Sequence, residues 1–167
     1  MKRILAVFAL ALLLAGCGGG RPAAFMPQRY FSAPFTLAHG DYIIRGRIVC
    51  KSYEDIRLTF TYPEALTYLT LRAASDGFAA DIAGLTDEIP ADTLPGGAPV
   101  RLLTDAVRDT VFTQHTFTAD GTYYVTESDV CGSTAVCRFS TDGSIYKITC
   151  DAMNAEITFS ELGTSKN

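Results

Sequence analysis

Apolar and polar residues alternate along most of the chain, which is the period-two pattern of strands with one buried face. In the first half, four segments follow this pattern, at residues 41–50, 56–62, 66–73 and 78–83. The second half contains five more, at residues 113–118, 122–128, 136–140, 144–150 and 155–160. Asp-Gly pairs at 76–77, 120–121 and 142–143 fall between such segments. Because this dipeptide accepts positive φ at both turn positions, the pattern predicts hairpins in an antiparallel sheet.

A different period occupies residues 99–112, where apolar side chains recur every three or four residues. Those that fall on one face of a helix are Val100, Leu103, Val107 and Val111. Pro99 suits the first turn, and Leu102 and Ala106 widen the apolar stripe. The opposite face carries Arg101, Thr104, Asp105, Arg108 and Asp109. The stretch before this helix, residues 87–97, is rich in Pro, Gly and Asp and is typical of a lid or a connecting loop.

The pattern therefore predicts a mainly β fold of the α+β type. A run of about eight to nine strands should curl into a strongly curved antiparallel sheet or an unclosed β-barrel, with one covering helix near 99–112. Its apolar face forms either a dry core or the lining of a ligand cavity, because a curved sheet under one helix need not fill its own concavity. The candidate lining residues are Ile44, Ile48, Leu58, Phe60, Leu69, Leu71, Leu103, Val107, Phe117, Val125, Phe139 and Ile148. Threonine and tyrosine are ordinary on exposed strands, but they could also form a protein-binding face. The strand residues expected at the surface include Thr59, Thr61, Tyr123 and Tyr124.

The first 20 residues follow neither pattern. Lys2 and Arg3 precede an uninterrupted apolar run at residues 4–14, which ends in Leu14-Ala15-Gly16-Cys17. A charged start, an apolar stretch and small residues define a secretory signal, and the cysteine makes this one resemble a bacterial lipoprotein signal. The run, about 11 residues, is shorter than the about 20 that a spanning helix needs. The resemblance implies cleavage before Cys17, acylation of Cys17 and attachment to a membrane through lipid.

These features divide the chain into four parts. Residues 1–16 form a signal that is removed, and residues 17–30 form the lipidated cysteine and a flexible, glycine-rich stalk. Residues 31–162 form a single β-rich domain, and residues 163–167 a tail. The expected location is the extracytoplasmic side of the bacterial cell envelope. That is the outer membrane if the host has one, and otherwise the outer face of the cell membrane.

Charge excludes two classes of partner. The net charge is −4, and removal of Lys2 and Arg3 makes it −6. Proteins that bind nucleic acid concentrate positive charge against phosphates, so nucleic acid is not an expected partner. No cluster of Lys or Arg is present that could attract anionic lipid, so lipid must provide the attachment to the membrane.

Four cysteines follow Cys17, an even number that in an exported chain indicates two disulfides. The expected pairs are Cys131–Cys137, across a hairpin connection at 132–135, and Cys50–Cys150, across the sheet. The alternative is that they are buried free thiols. No C-x-x-C spacing is present, so no metal site is predicted.

Candidate chemistry is sparse. His39 and His115 are the two histidines, and both are expected to have structural roles. The chain contains no G-x-S-x-G, H-E-x-x-H or phosphate-binding loop motif. No catalytic residue and no cofactor are predicted. A hydrolase would require His39 or His115 to lie within hydrogen-bond reach of a Ser, Cys or carboxylate in a cleft.

Short motifs at fold-supporting positions resemble those of the lipoprotein-localisation factor (LolA/LolB-like) family. They are Gly46-x-Ile48, Tyr62-Pro63, Asp76-Gly77, Ile82-x-Gly84 and Leu94-Pro95, in addition to the acylated cysteine. The resemblance implies an unclosed β-barrel whose concave face holds acyl chains under helices or loops, with the helix at 99–112 as a lid.

The leading hypothesis is thus a membrane-anchored, non-enzymatic envelope lipoprotein that binds an acyl chain, a lipid or a lipidated partner such as a lipoprotein. The alternative is an envelope scaffold or assembly lipoprotein with a packed core and a protein-binding sheet face. A hydrolase is a remote third. A sizeable apolar hollow under the helix would favour the first, and a filled interior the second.

Overall fold

The computed structural model describes residues 25–74, 77–90, 93 and 99–160. The predicted signal, Cys17, the glycine stretch, the Leu94-Pro95 pair and the tail from residue 163 lie outside these residues.

Two antiparallel meanders form the domain. The strands of the first are β1 (Phe31–His39), β2 (Tyr42–Cys50), β3 (Ile56–Tyr62), β4 (Leu69–Ala73), β5 (Gly77–Ile82) and β6 (Leu85–Pro90). Helix α1 (Pro99–Phe112) follows. The second meander consists of β7 (Thr118–Asp120), β8 (Tyr123–Val130), β9 (Ser133–Ser140), β10 (Ile145–Cys150) and β11 (Ala155–Phe159).

Pairing of the first strand with the last joins the meanders into one sheet. Phe35 lies opposite Phe159, and His39 lies opposite Ala155. The described strands then have the order β6-β5-β4-β3-β2-β1-β11-β10-β9-β8-β7, with all neighbours antiparallel. The prediction of a mainly β, curved, unclosed sheet with one helix is confirmed for the described residues, and α1 has the predicted bounds.

The sequence pattern missed β1 and β6. Pro34 disturbs the alternation of β1, but it lies where the β1–β11 ladder ends, and its carbonyl accepts the Ser160 N–H at 3.1 Å. A proline is tolerated at such a position because little pairing is lost. β6 contains Asp87 and Glu88, and the sequence pattern therefore assigned its second half to a loop. Residues 113–118, predicted as a strand, contribute only Thr118 to β7.

The sheet is strongly curled, as the contacts of α1 show. Arg108 reaches the carbonyl oxygen of Ala74, just after β4, while Asp109 accepts a hydrogen bond from Ser128 on β8. Six strands separate β4 from β8 in the sheet order. In a flat sheet these strands would lie roughly 34 Å apart, far more than the diameter of about 10 Å of one helix. The sheet therefore wraps around α1.

The core lies between the concave face of the sheet and α1. Side chains with no exposed surface come from both meanders and from the helix: Leu37, Ile48, Ile56, Leu58, Leu102, Leu103, Val107, Phe139, Ile148 and Ile157. Gly46 permits one close approach, since a Cβ there would collide with the Thr59 carbonyl oxygen and the Phe35 ring. The register of β2 against β3 shifts between Arg45 and Gly46.

The folded part begins before Phe31, contrary to the predicted stalk at 17–30. Phe25 stacks on Tyr124 with ring centroids 4.0 Å apart and contacts Phe117 edge-on at 4.8 Å. The Gln28 N–H donates to the Gly143 carbonyl at 2.8 Å. Residues 25–28 are therefore fastened to the end of the domain that holds the β9–β10 turn.

β6 is an edge strand with few free donors on its outer side. The two-residue turn Ala83-Gly84 has positive φ at both positions, which makes Ile82 and Leu85 a hydrogen-bonded pair and turns the N–H groups of residues 86, 88 and 90 away from β5. The Glu88 N–H donates to Asp87 Oδ1 at 2.9 Å. Residue 90 is proline and has no N–H.

The two expected disulfides are absent, because all four described cysteines are free thiols. Cys131 lies in the tight β8–β9 turn, between the paired residues Val130 and Ser133, whereas Cys137 lies in mid-strand opposite Thr126. The hairpin connection is therefore Cys131-Gly132, and not the predicted 132–135.

The second pair fails because its members lie at opposite ends of the strands. Cys50 is opposite Phe31 at the start of β1. Cys150 is opposite Ala155, which itself pairs with His39 at the other end of β1. In addition, β1 and β11 lie between β2 and β10.

We expect iodoacetamide at pH 8 to modify Cys131 first in the native protein starting at residue 18. Cys131 is half-buried, whereas Cys50, Cys137 and Cys150 are at most 1% exposed. Burial raises the pKa of Cys50 and of Cys137 to about 12, so their reactive thiolates are scarce. Intact-mass analysis measures the order of labelling. Modification of all four cysteines in urea without reductant would agree with four free thiols. Modification of two or fewer would contradict free thiols.

Candidate functional site

The concave face and α1 form the candidate site, since the predicted lining residues gather there. Eight of them are buried in the core: Ile48, Leu58, Phe60, Leu71, Leu103, Val107, Phe139 and Ile148. Ile44, Leu69 and Phe117 are partly buried and pack against it. Val125 was wrongly assigned, because Thr126, Ser128 and Val130 are the buried residues of β8 and Val125 alternates with them. It lies on the outer face.

The interior under α1 is filled around these side chains. Leu58, Leu103, Val107 and Phe139 have 0% exposed surface, so no space the size of a water molecule adjoins them. A void beside the helix, near Phe78 and Thr104, has a volume of about 30 Å³. A ligand pocket typically needs about 300 Å³ or more. With α1 in place, the concave face has no room for an acyl chain at these positions.

Apolar surface nevertheless continues beyond the helix at the β5–β6 hairpin. Phe78, Ala80 and Ile82 share one face of β5 because same-face residues are two apart. The first two are buried, whereas Ile82 is 54% exposed and its partner Leu85 is 79% exposed. Leu69, opposite Ile82 on β4, is partly buried. We call Leu69, Ile82 and Leu85 the open strip, a solvent-accessible extension of the buried face.

Two polar attachments hold the C-terminal half of α1 in the sheet. In the first, Asp109 accepts hydrogen bonds from Ser128 Oγ at 2.5 Å and from Thr113 Oγ1 at 3.0 Å. His115 Nε2 lies 3.0 Å from Asp109 Oδ2. Burial raises the pKa of Asp109, but the hydrogen bonds from Ser128, Thr113 and His115 together outweigh it and lower the pKa below its ordinary 3.8. The carboxylate is thus ionised and ties α1 to β8.

The second attachment is Arg108, whose side chain is 13% exposed. Its Nε donates to the Tyr53 carbonyl at 3.1 Å and its Nη2 to the Ala74 carbonyl at 3.2 Å. The guanidinium also lies over the Tyr53 ring, 5.2 Å from the centroid, and within 3.4 Å of Asp105. Arg108 therefore fastens α1 to the β2–β3 connection and the end of β4, on the side opposite Asp109.

The sequence pattern did not predict these attachments, because it placed Arg108 and Asp109 on the face opposite the apolar stripe. It also placed Thr104 there, yet Thr104 and Thr110 are fully buried. The Thr110 hydroxyl donates to the Ala106 carbonyl one turn earlier, at 2.7 Å, so its burial leaves no unpaired donor. A helix inside a curled sheet is covered on more sides than a helix on a flat one. Periodicity along the chain cannot show this difference.

His115 satisfies part of the condition set for a hydrolase, since it reaches a carboxylate and lies beside an open groove of about 580 Å³. Neither nearby hydroxyl is arranged as a nucleophile. Thr126 Oγ1 donates to the Thr116 carbonyl at 3.0 Å and lies 3.4 Å from His115 Nδ1. Ser128 donates to Asp109. A nucleophile must instead direct its proton to the base. His39 ends β1 opposite Tyr42.

Within the described residues, no three His, Cys, Asp or Glu side chains are grouped so that they could hold a metal ion. No helix in the described part of the chain is long and apolar enough to cross a membrane.

Comparison with protein-family models finds no match for the chain, and comparison with curated protein sequences finds none either.

We expect Asp109→Asn to lower the free energy of unfolding at pH 7 by about 1 kcal/mol. Charged hydrogen bonds contribute roughly 1.5–3 kcal/mol, and this carboxylate is a third exposed, which reduces that value. Because the pKa of Asp109 is lowered in the folded state, its stabilisation is complete above about pH 4 and is lost as the pH falls through the lowered pKa.

Urea unfolding of the two proteins at pH 7 and at pH 2.5 measures this effect. Asp120→Asn is the control, since Asp120 is exposed on β7, and should change stability by less than about 0.5 kcal/mol. A difference between wild type and Asp109→Asn that stays constant with pH would contradict the assigned role.

Proposed function

We propose that the protein is a lipid-anchored, non-enzymatic envelope protein that binds an acyl chain, a lipid or a lipidated partner on the concave face of its sheet. The observation that carries the proposal is the continuity of the open strip with the buried face under α1. Ile82 and Leu85 are exposed, and Ala80 and Phe78 continue the same apolar face inward until α1 covers it. The ligand enters along this strip and replaces α1 as the cover of the sheet.

The exchange is energetically plausible because one apolar cover replaces another. Burying a side chain such as Leu103 or Val107 contributes about 1.5–3 kcal/mol, and each buried methylene of an acyl chain about 0.8 kcal/mol. The side chains of Arg108 and Asp109, which attach α1 to the sheet, are partly exposed to solvent. Water can therefore replace their hydrogen bonds when the helix moves.

A disulfide that fixes α1 to the sheet tests this mechanism. Cys131 Sγ lies 3.9 Å from Asp105 Oδ2, so an Asp105→Cys thiol would face Cys131. We expect the reduced variant and the wild type to retain palmitate or a dipalmitoyl lipopeptide in native mass spectrometry, and the oxidised variant to retain at least about tenfold less. The control is Asp105→Cys with Cys131→Ser, oxidised in the same way, which should bind like the reduced variant. Equal binding by the locked and reduced forms would contradict displacement of α1.

The filled interior favours a second candidate, an envelope scaffold or assembly protein whose core never opens. Leu58, Leu103 and Phe139 have no exposed surface, as expected of a purely structural core. The same experiment separates the candidates. Absence of ligand from the wild type, the reduced variant and the control would favour the scaffold.

Attachment to the membrane is proposed from the resemblance of residues 1–17 to a lipoprotein signal. We expect radiolabelled palmitate to be incorporated into the full-length protein in bacterial cells and to be lost in Cys17→Ser, because the acyl chains attach at that residue. Cys131→Ser is a matched control and should keep the label. Label retained by Cys17→Ser, or wild-type protein found free in the culture supernatant, would contradict the anchor.

A further inference from the structure

One end of the first meander exposes a large apolar residue on each of five neighbouring strands. We call this set the rim: Tyr42, Tyr62, Tyr68, Ile82 and Leu85. Tyr42 begins β2, Tyr62 ends β3 and Tyr68 immediately precedes β4, while Ile82 and Leu85 flank the β5–β6 turn. Because neighbouring strands are antiparallel, these positions all lie at the same end of the sheet.

The side chains of the rim are largely exposed to solvent. Tyr42 and Tyr68 are each 76% exposed, Leu85 is 79% exposed, and Tyr62 and Ile82 are about half exposed. Single exposed apolar residues are ordinary, but several gathered at one end of a sheet are typical of an interaction surface. Tyrosine in particular is enriched at protein interfaces, where it buries a large rigid area and offers a hydroxyl.

Charged groups at this end are mainly acidic. Asp41 and Glu64 are exposed in the turns next to Tyr42 and Tyr62. One cation lies within the rim itself, because the Arg45 guanidinium covers the Tyr62 ring at 5.7 Å from its centroid. An apolar series bordered by carboxylates is complementary to an apolar surface bordered by lysine or arginine.

The attachment of the N-terminal segment lies at the other end of the sheet. Gln28 is bonded to Gly143 in the β9–β10 turn, at the Phe31 end of β1, whereas the rim lies at the His39 end. β1 has nine residues, so eight steps of roughly 3.3 Å place these ends about 26 Å apart. Eight steps along the chain connect Cys17 to Phe25 and reach at most about 29 Å. An anchor at Cys17 would therefore join the domain at its Phe31 end, opposite the rim.

We propose that the rim docks a second protein in the extracytoplasmic space, through a face of that protein with an apolar centre bordered by Lys or Arg. This inference goes beyond ligand binding on the concave face, although its orientation argument uses the proposed anchor. Tyr42 and Tyr68 are outside the open strip, so substitutions there test the rim and leave the ligand strip intact.

The experiment has two stages. In the first, the photoreactive residue p-benzoylphenylalanine replaces Tyr68 in the full-length protein in cells of the native host, with Glu127 on the exposed outer side of β8 as the control position. In the second, the protein cross-linked at residue 68 is purified, and its Kd is measured for wild type, Tyr42→Ser and Tyr68→Ser. Thr59→Ala, at an exposed position in the middle of β3, is the matched control.

We expect a cross-linked protein at residue 68 that is absent at 127, and a Kd at least about tenfold weaker for Tyr42→Ser and for Tyr68→Ser, but not for Thr59→Ala. Association should slow with added salt and in Glu64→Lys. Adducts to lipid alone, adducts to other copies of this chain alone, identical adducts at 68 and 127, or an unchanged Kd in both tyrosine variants would each overturn the proposal. The tyrosine variants should retain palmitate as the wild type does. A weaker Kd for the partner protein would then reflect the rim and not the ligand site on the concave face.

Discussion

Burial of one curved apolar face against α1 is the interaction on which the described structure depends. An antiparallel sheet can leave one face in water, but the concave face here carries Ile48, Leu58 and Phe139, which must be covered. Pairing of β1 with β11 brings two meanders into the same sheet, and the curl places both against the helix. The fold, the filled interior and the open strip all follow from how far α1 extends across that face.

The contacts of α1 combine two kinds of stabilisation. Leu103 and Val107 supply non-directional apolar burial, which another apolar cover could equally supply. Arg108 donates hydrogen bonds to carbonyl groups and Asp109 accepts one from the Ser128 hydroxyl, on opposite sides of the curl. These directional contacts fix α1 on the sheet. The polar attachments therefore fix the position of α1 on the face, whereas the apolar contacts make covering the face favourable.

Local patterns predicted the local structure well. The three-and-four spacing gave the bounds of α1, and Asp-Gly pairs marked the turns at 120–121 and 142–143. Features that depend on distant parts of the chain were not accessible. Partners of Asp109 and Arg108 become neighbours only when the sheet curls, and the cysteine pairs failed because strand order and register, not spacing along the chain, set their separation. β1 was not predicted because Pro34 is compatible with a strand only at the end of a hydrogen-bond ladder, and the sequence alone does not show where the β1–β11 ladder ends.

An unclosed sheet leaves a margin at which other chains can add, and such growth is the usual route from a β protein to fibrillar aggregates. Of the three N–H groups that β6 directs outward, at residues 86, 88 and 90, two cannot bind an incoming strand. The Glu88 N–H already donates to the Asp87 carboxylate, and residue 90 is proline. The protein can thus keep its sheet open, as the proposed exchange of α1 for a ligand requires, without offering a template for polymerisation at that margin.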